Sequence, residues 1–125
     1  MKHKAYTRKL GRDTAHRTSM MRNMARALFE HRKITITHVR ALELKKYAER
    51  LINIAKQVKG TADAKEQDLH AKRTIFSEIG CNDVSCQLFD WARAQYAERN
   101  GGYTRITKYF FRKGDCAHMV LLELV

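Results

Sequence analysis

The stretch YTRITKYFFRKGDCAHMVLLELV, residues 103–125, decides the fold class. Two runs rich in β-branched and aromatic residues, 103–112 and 117–125, flank the turn-forming Lys113-Gly114-Asp115. This pattern predicts a β-hairpin. Strict alternation would put Tyr103, Arg105, Thr107, Tyr109 and Phe111 on one face. Thr104, Ile106, Lys108, Phe110 and Arg112 would share the other. Everything between residue 38 and this hairpin has helical rather than strand periodicity, so the class is α+β.

Working backwards, RNGG at 99–102 is a stop signal. Before it, Val84, Leu88, Trp91 and Ala92 predict a helix over about 84–97. GCND at 80–83 separates that helix from one over about 62–79, capped by Thr61, with Leu69, Ile75, Phe76 and Ile79 inward. Gly60 ends an earlier helix over about 38–57. Its inward stripe is Ala41, Leu44, Ala48, Leu51, Ile52 and Ala55; Arg40, Glu43, Lys46, Glu49 and Arg50 read as a solvated, salt-bridged face. Thr37 is placed to cap it, at the end of the short strand-like KITIT, 33–37. A first helix over about 15–31 follows the capping residues Asp13 and Thr14, with Met20, Met24, Ala27 and Leu28 as its apolar stripe. The expected architecture is a two-layer α/β domain of order α-β-α-α-α-β-β with a small mixed sheet. It is expected to occupy 14–125 as one globular domain, behind a basic arm at 1–13.

Charge supplies the functional direction. Of the 125 residues, 25 are Lys or Arg and 13 are Asp or Glu, giving +12. Residues 1–40 hold 11 basic and 2 acidic residues, a net of +9, whereas residues 51–102 hold 7 of each. Positive charge concentrated at one end repels itself and suits a polyanionic partner. Lys2, His3, Lys4, Arg8, Lys9 and Arg12 form the arm, and His16, Arg17, Arg22, Asn23, Arg26 and His31 lie on or beside the first helix. Arginine offers phosphates paired donors and lysine a compact charge. Tyr103 and Tyr109, with Arg105, suggest an aromatic-basic face able to stack on bases.

Other chemistry finds little support. Cys81, Cys86, Cys116, His70 and His118 lack the compact ligand pairs of a structural zinc site, so neither metal nor cofactor is expected. No nucleophile elbow or glycine-rich phosphate loop occurs, and neither enzymatic activity nor a small-molecule substrate is expected. The apolar side of the first helix is needed by the core, which disfavours a membrane-surface role. Absence of a signal-like apolar run at the start points to a cytoplasmic protein with free thiols.

Three blocks in order carry a family resemblance: GRDTAHRTSMMRNMARALFEHRKI (11–34), ALELKKYAERLINIAK (41–56) and LFDWARAQYAERNGGYTRITKYFFRKGDCAHMVLLELV (88–125). Together they resemble bacterial-type large-subunit ribosomal protein seventeen across nearly the whole chain. The chain departs from the family pattern at Ile36, Val39 and His118 and across 78–86. The resemblance implies a structural constituent of the large ribosomal subunit. It further implies binding to large-subunit rRNA near the polypeptide exit tunnel, with neighbouring ribosomal proteins as further partners. A bacterial ribosome is favoured over an organellar one. The implied RNA contacts are His16, Arg17, Arg22, Asn23 and His31, and a second block of Gly101, Gly102, Tyr103, Thr104 and Arg105. The competing reading is an RNA- or DNA-binding regulator that works outside the ribosome.

Overall fold

The computed structural model describes residues 8–58 and 65–125. The elements are α1 (Thr14–His31), β1 (Lys33–Thr37), α2 (His38–Lys56), α3 (Lys65–Ile79), α4 (Asn82–Tyr96), β2 (Thr104–Phe111) and β3 (His118–Leu124). This is the expected order. The expected helix end at Gly60 and cap at Thr61 lie outside the described residues, as do Lys2, His3 and Lys4 of the arm. Asp13 and Thr37 occupy the N-cap positions of α1 and α2 in extended conformation, although neither side chain makes a capping hydrogen bond.

The sheet is antiparallel throughout, not mixed, with strand order β1-β3-β2. The hairpin makes β3 antiparallel to β2, and β1 then pairs on the free side of β3, Lys33 opposite Glu123 and Thr37 opposite Met119. The last strand is thus the central one. Val120 and Leu122 on β3 are fully buried towards the helices, while the other face of the sheet carries no helix layer among the described elements.

Strand alternation in β2 is interrupted. Lys108 is opposite Val120 but Phe110 is opposite Met119, so Tyr109 is the extra residue of a β-bulge. Beyond it the parity reverses. Phe110 leaves the face of Thr104 and Ile106 and joins that of Thr107, while Phe111 lies opposite His118. No sequence alternation rule foresees a one-residue insertion, because the mismatch belongs to the pair of strands.

The core forms between the sheet and the four helices. The α2 stripe is buried as expected: Ala41, Leu44, Ala48, Leu51, Ile52 and Ala55. In α4, Val84, Leu88, Trp91 and Ala92 are buried too, joined by Phe89 and Tyr96. The phase of α1 differs from expectation. Met21, Ala25, Leu28 and Phe29 are buried, and Met20 and Met24 pack only at the margin. Both stripes are apolar in sequence; the structure selects the one that carries Phe29, the bulkiest side chain. In α3 the buried line is Ala71, Ile75 and Ile79, which leaves Leu69 exposed at 46%. Glu43, assigned by its charge to the solvated face of α2, is also buried.

Gly80 and Gly102 shape two of the loops that frame the core. Gly80 ends α3 at φ +67, and its NH donates to the Phe76 carbonyl. A Cβ there would stand 3.2 Å from Arg26 Nη2. Gly102, at φ +66, turns the chain so that Tyr103 enters the core fully buried. Replacing Leu28 by Ala removes a wholly buried side chain and is expected to cost about 2–5 kcal/mol. Leu69→Ala should change stability by less than about 0.5 kcal/mol. Urea unfolding of the two variants checks the burial of Leu28 and the α3 phase together.

Candidate nucleic-acid interface

The basic residues divide into those the fold consumes and those it presents. Arg26 belongs to the first group. Its Nη2 and Nε donate to the Ile79 carbonyl at 2.6 and 3.2 Å, so it closes the C-terminal end of α3 and ties α1 to it. Arg22 donates to Glu78 at 3.4 Å. Glu78 also accepts from Tyr47 Oη at 2.6 Å and from Arg50 at 3.4 Å, linking α1, α2 and α3 through one carboxylate. The Tyr47 hydrogen bond, with support from Arg22 and Arg50, holds the Glu78 carboxyl below its ordinary range. Burial, then the neighbouring carboxylate, pushes the Tyr47 hydroxyl well up.

The second group surrounds a groove of ≈ 290 Å³ between α1 and α2, lined by Arg8, Arg17, Thr18, Met21, Glu43, Lys46, Tyr47 and Arg50. Four cations therefore face one acid, the buried Glu43. Glu43 stands 3.9 Å from Arg8 and 3.3 Å from Lys46, and so fixes the direction of both without cancelling their charge. Residues just before α1 follow the same surface. Leu10 packs against the core, Arg12 Nη1 donates to the Leu10 carbonyl at 3.0 Å, and Arg17 Nη1 donates to the Arg12 carbonyl at 3.4 Å. Lys9, His16 and Asn23 are exposed, and exposed His31 ends α1.

Lys46 and Arg50, expected on a solvated, salt-bridged face, are exposed and ion-paired there, but their part in the groove was not foreseen. The Glu43–Lys46 spacing of three on a helix was the available signal. Proximity to Arg8 and Arg17 had none, since it arises from helix packing.

The second expected block lies elsewhere, against the C-terminal half of α2. Tyr103 has no exposed surface. Its hydroxyl donates to Asn53 Oδ1 at 2.8 Å, and Lys56 Nζ donates to that hydroxyl at 3.2 Å. Its ring lies 4.7 Å from that of Tyr96. The aromatic contact with bases expected of Tyr103 is therefore corrected to a core role: an enclosed ring has no face to offer. Thr104 is also buried and donates to Glu49 at 2.8 Å. Gly101, Gly102 and Arg105 are exposed, Arg105 within 3.5 Å of Glu123. Tyr96 anchors the far end of the chain, donating to the Val125 carbonyl at 2.7 Å. Burial pushes its hydroxyl up to about 12.

Among the described residues, no three His, Cys, Asp or Glu converge as a metal site would require. Cys81, Cys86 and Cys116 are free thiols. No described helix is long and apolar enough to cross a membrane. What the surface offers is a set of guanidinium and ammonium donors on a rigid helical frame, the chemistry of phosphate binding.

Comparison with known proteins identifies the frame. The family model described as ribosomal protein L17 matches residues 20–125. The chain belongs to the ribosomal protein L17 family. Large ribosomal subunit protein bL17 of Desulforapulum autotrophicum is 43% identical over 125 residues, covering all of this chain and 97% of the relative. The bL17 protein of Moorella thermoacetica is 45% identical over 118 residues, covering 94% of this chain and 97% of the relative. That of Geobacter sulfurreducens is 43% identical over this whole chain and 66% of its own length. The family model begins inside α1, and the full-length relatives carry the match through the basic segment before it. Membership of the L17 family, a ribosomal protein family, makes the chain a non-enzymatic protein of translation.

The Glu78 node has a pH signature. Its folded-state pKa is depressed, so its stabilisation is complete above the unfolded value and is lost as pH falls through the folded one. Glu78→Gln is expected to lower stability by about 1 kcal/mol at neutral pH. The gap to wild type should narrow as pH falls below about 4.3. Urea midpoints across that range provide the check.

Proposed function

We propose that this chain is a structural constituent of the large ribosomal subunit. In this reading it binds large-subunit rRNA through the arm, residues 1–13, and the groove beside α1, while the globular part, 14–125, sets their direction. The observation that carries the reading is the groove itself: Arg8, Arg17, Lys46 and Arg50 gathered around one buried acid. The names of the L17 relatives supply the subunit. The family resemblance suggests a place near the polypeptide exit tunnel, beside other large-subunit proteins in the bacterial cytoplasm.

The mechanism is electrostatic. Each cation that meets a phosphate releases condensed counterions, so affinity falls with salt. A folded groove adds direction, because Arg8 and Lys46 are already oriented by Glu43 and Arg50 by Glu78. Arg22 and Arg26 contribute chiefly by holding α3 against α1, although Arg22 keeps part of its surface open.

If about six phosphates are met, the slope of log affinity on log salt is expected near −4 to −5 for deproteinised large-subunit rRNA. Lys9→Gln and Arg17→Gln should each reduce its magnitude by about 1, without changing sequence preference. Fluorescence anisotropy over a salt series measures both, and a flat response would refute the phosphate mechanism. Co-sedimentation with large subunits after a high-salt wash separates a ribosomal constituent from a free regulator.

A further inference from the structure

The hairpin carries aromatic surface that the fold leaves open. Tyr109, Phe110 and Phe111 are 66%, 46% and 67% exposed, although rings of this size are most useful to a fold when buried. The bulge at Tyr109 shifts the parity, so that Phe110 takes the face of Thr107 and Phe111 the face of Ile106. Phe111 stacks on His118, with ring centroids 5.1 Å apart and planes at 25°. The His118 ring is in turn 5.5 Å from that of His38, the first residue of α2. The result is a three-ring ladder with Phe111 at its open end. Tyr109 meets Phe110 edge-on at 5.0 Å.

Cations flank these rings along the chain: Lys108 before them, Arg112 and Lys113 after them. Arg112 is held by Asp115 at 2.6 Å, whereas Lys108 and Lys113 have no acidic partner among the described residues. An apolar protein partner would gain from the rings but would have to desolvate two unpaired ammonium groups. A polynucleotide satisfies both parts, with phosphates for the lysines and base faces for the rings. A regular RNA duplex keeps its base faces stacked inside, so the bases involved must be unpaired.

We propose that Phe111 and Tyr109 stack on unpaired bases of large-subunit rRNA, with Lys108 and Lys113 on the adjoining phosphates. The inference rests on the rRNA-binding reading above. It adds a second contact surface, which shares no lining residue with the α1–α2 groove. It also transfers the aromatic contact from buried Tyr103 to the exposed end of the same hairpin.

The test uses the full chain and deproteinised large-subunit rRNA. Phe111→Ala and Tyr109→Ala lie at open positions and should unfold within a few degrees of wild type. Each is expected to weaken binding about tenfold, with the salt slope unchanged because no phosphate contact is lost. Phe111→Trp should retain affinity. Phe111→Leu should behave like the alanine variant, since it keeps apolar area but has no π face. Ultraviolet crosslinking should place an RNA adduct within residues 109–111. Equal affinity for wild type and Phe111→Ala, with a steep salt slope in both, would overturn this inference and leave the groove reading intact. Absence of RNA binding by wild type would overturn both. Full affinity in Phe111→Leu, or crosslinks from this patch to a protein neighbour, would overturn it in favour of apolar docking.

Discussion

The structure depends on how α2 is enclosed. This helix packs against α1, α3, α4 and the sheet, so it must be apolar over more than one narrow stripe. Leu44, Leu51 and Ile52 fill the space between layers, and all are fully buried. Ala41, Ala48 and Ala55 recur every seven residues, close to two turns, and are also fully buried. Small side chains along that line let neighbouring backbones approach α2 closely. A larger residue at any of them would have to displace a packed neighbour. From this enclosed axis the charged residues of α2 can emerge only at its margins, and that is where Glu43, Lys46 and Arg50 meet the arm and α1.

A chain with +12 must prevent its cations from driving its own elements apart. It does so with few acids, well placed. Glu78 joins three helices by accepting from Tyr47, Arg22 and Arg50. Glu43 lies under Arg8 and Lys46. Arg26 spends its donors on a helix end instead of an acid. Arg32 places its guanidinium 4.7 Å from the centre of the Trp91 ring, a contact that needs no counter-charge. These arrangements leave a net positive groove whose side chains are nonetheless directed, an arrangement that would lower the ordering cost of an anion bound there.

The aromatic residues are also divided by the fold. Tyr96 and Tyr103 close the core where the C-terminal residue docks, and each hydroxyl finds a partner there. Tyr109, Phe110 and Phe111, a few residues along the same hairpin, remain outside. The bulge separates the two groups. Before it, the strand faces the helices in regular alternation. After it, Phe111 reaches only the first residue of α2, through His118, and the rings stay largely open.

Element order was legible in the sequence because it rests on local physics. The β-branched KITIT, the alternating hairpin strands and the stripes of α2 and α4 encode strand or helix within a few turns of chain. The concentration of charge before residue 40 was equally plain, as was the family. What the sequence could not choose was phase and partnership. In α1 two adjacent stripes are both apolar, and only packing selects Met21, Ala25, Leu28 and Phe29 over Met20 and Met24. Glu43 is an ordinary helix-surface acid until Arg8 and Lys46 converge on it. Tyr103 is an aromatic beside a turn until Asn53 and Lys56 enclose it. Residue type and spacing therefore determined which elements form and where the charge lies. The tertiary structure decided which side chains remain exposed, because exposure depends on neighbours that are distant in the chain.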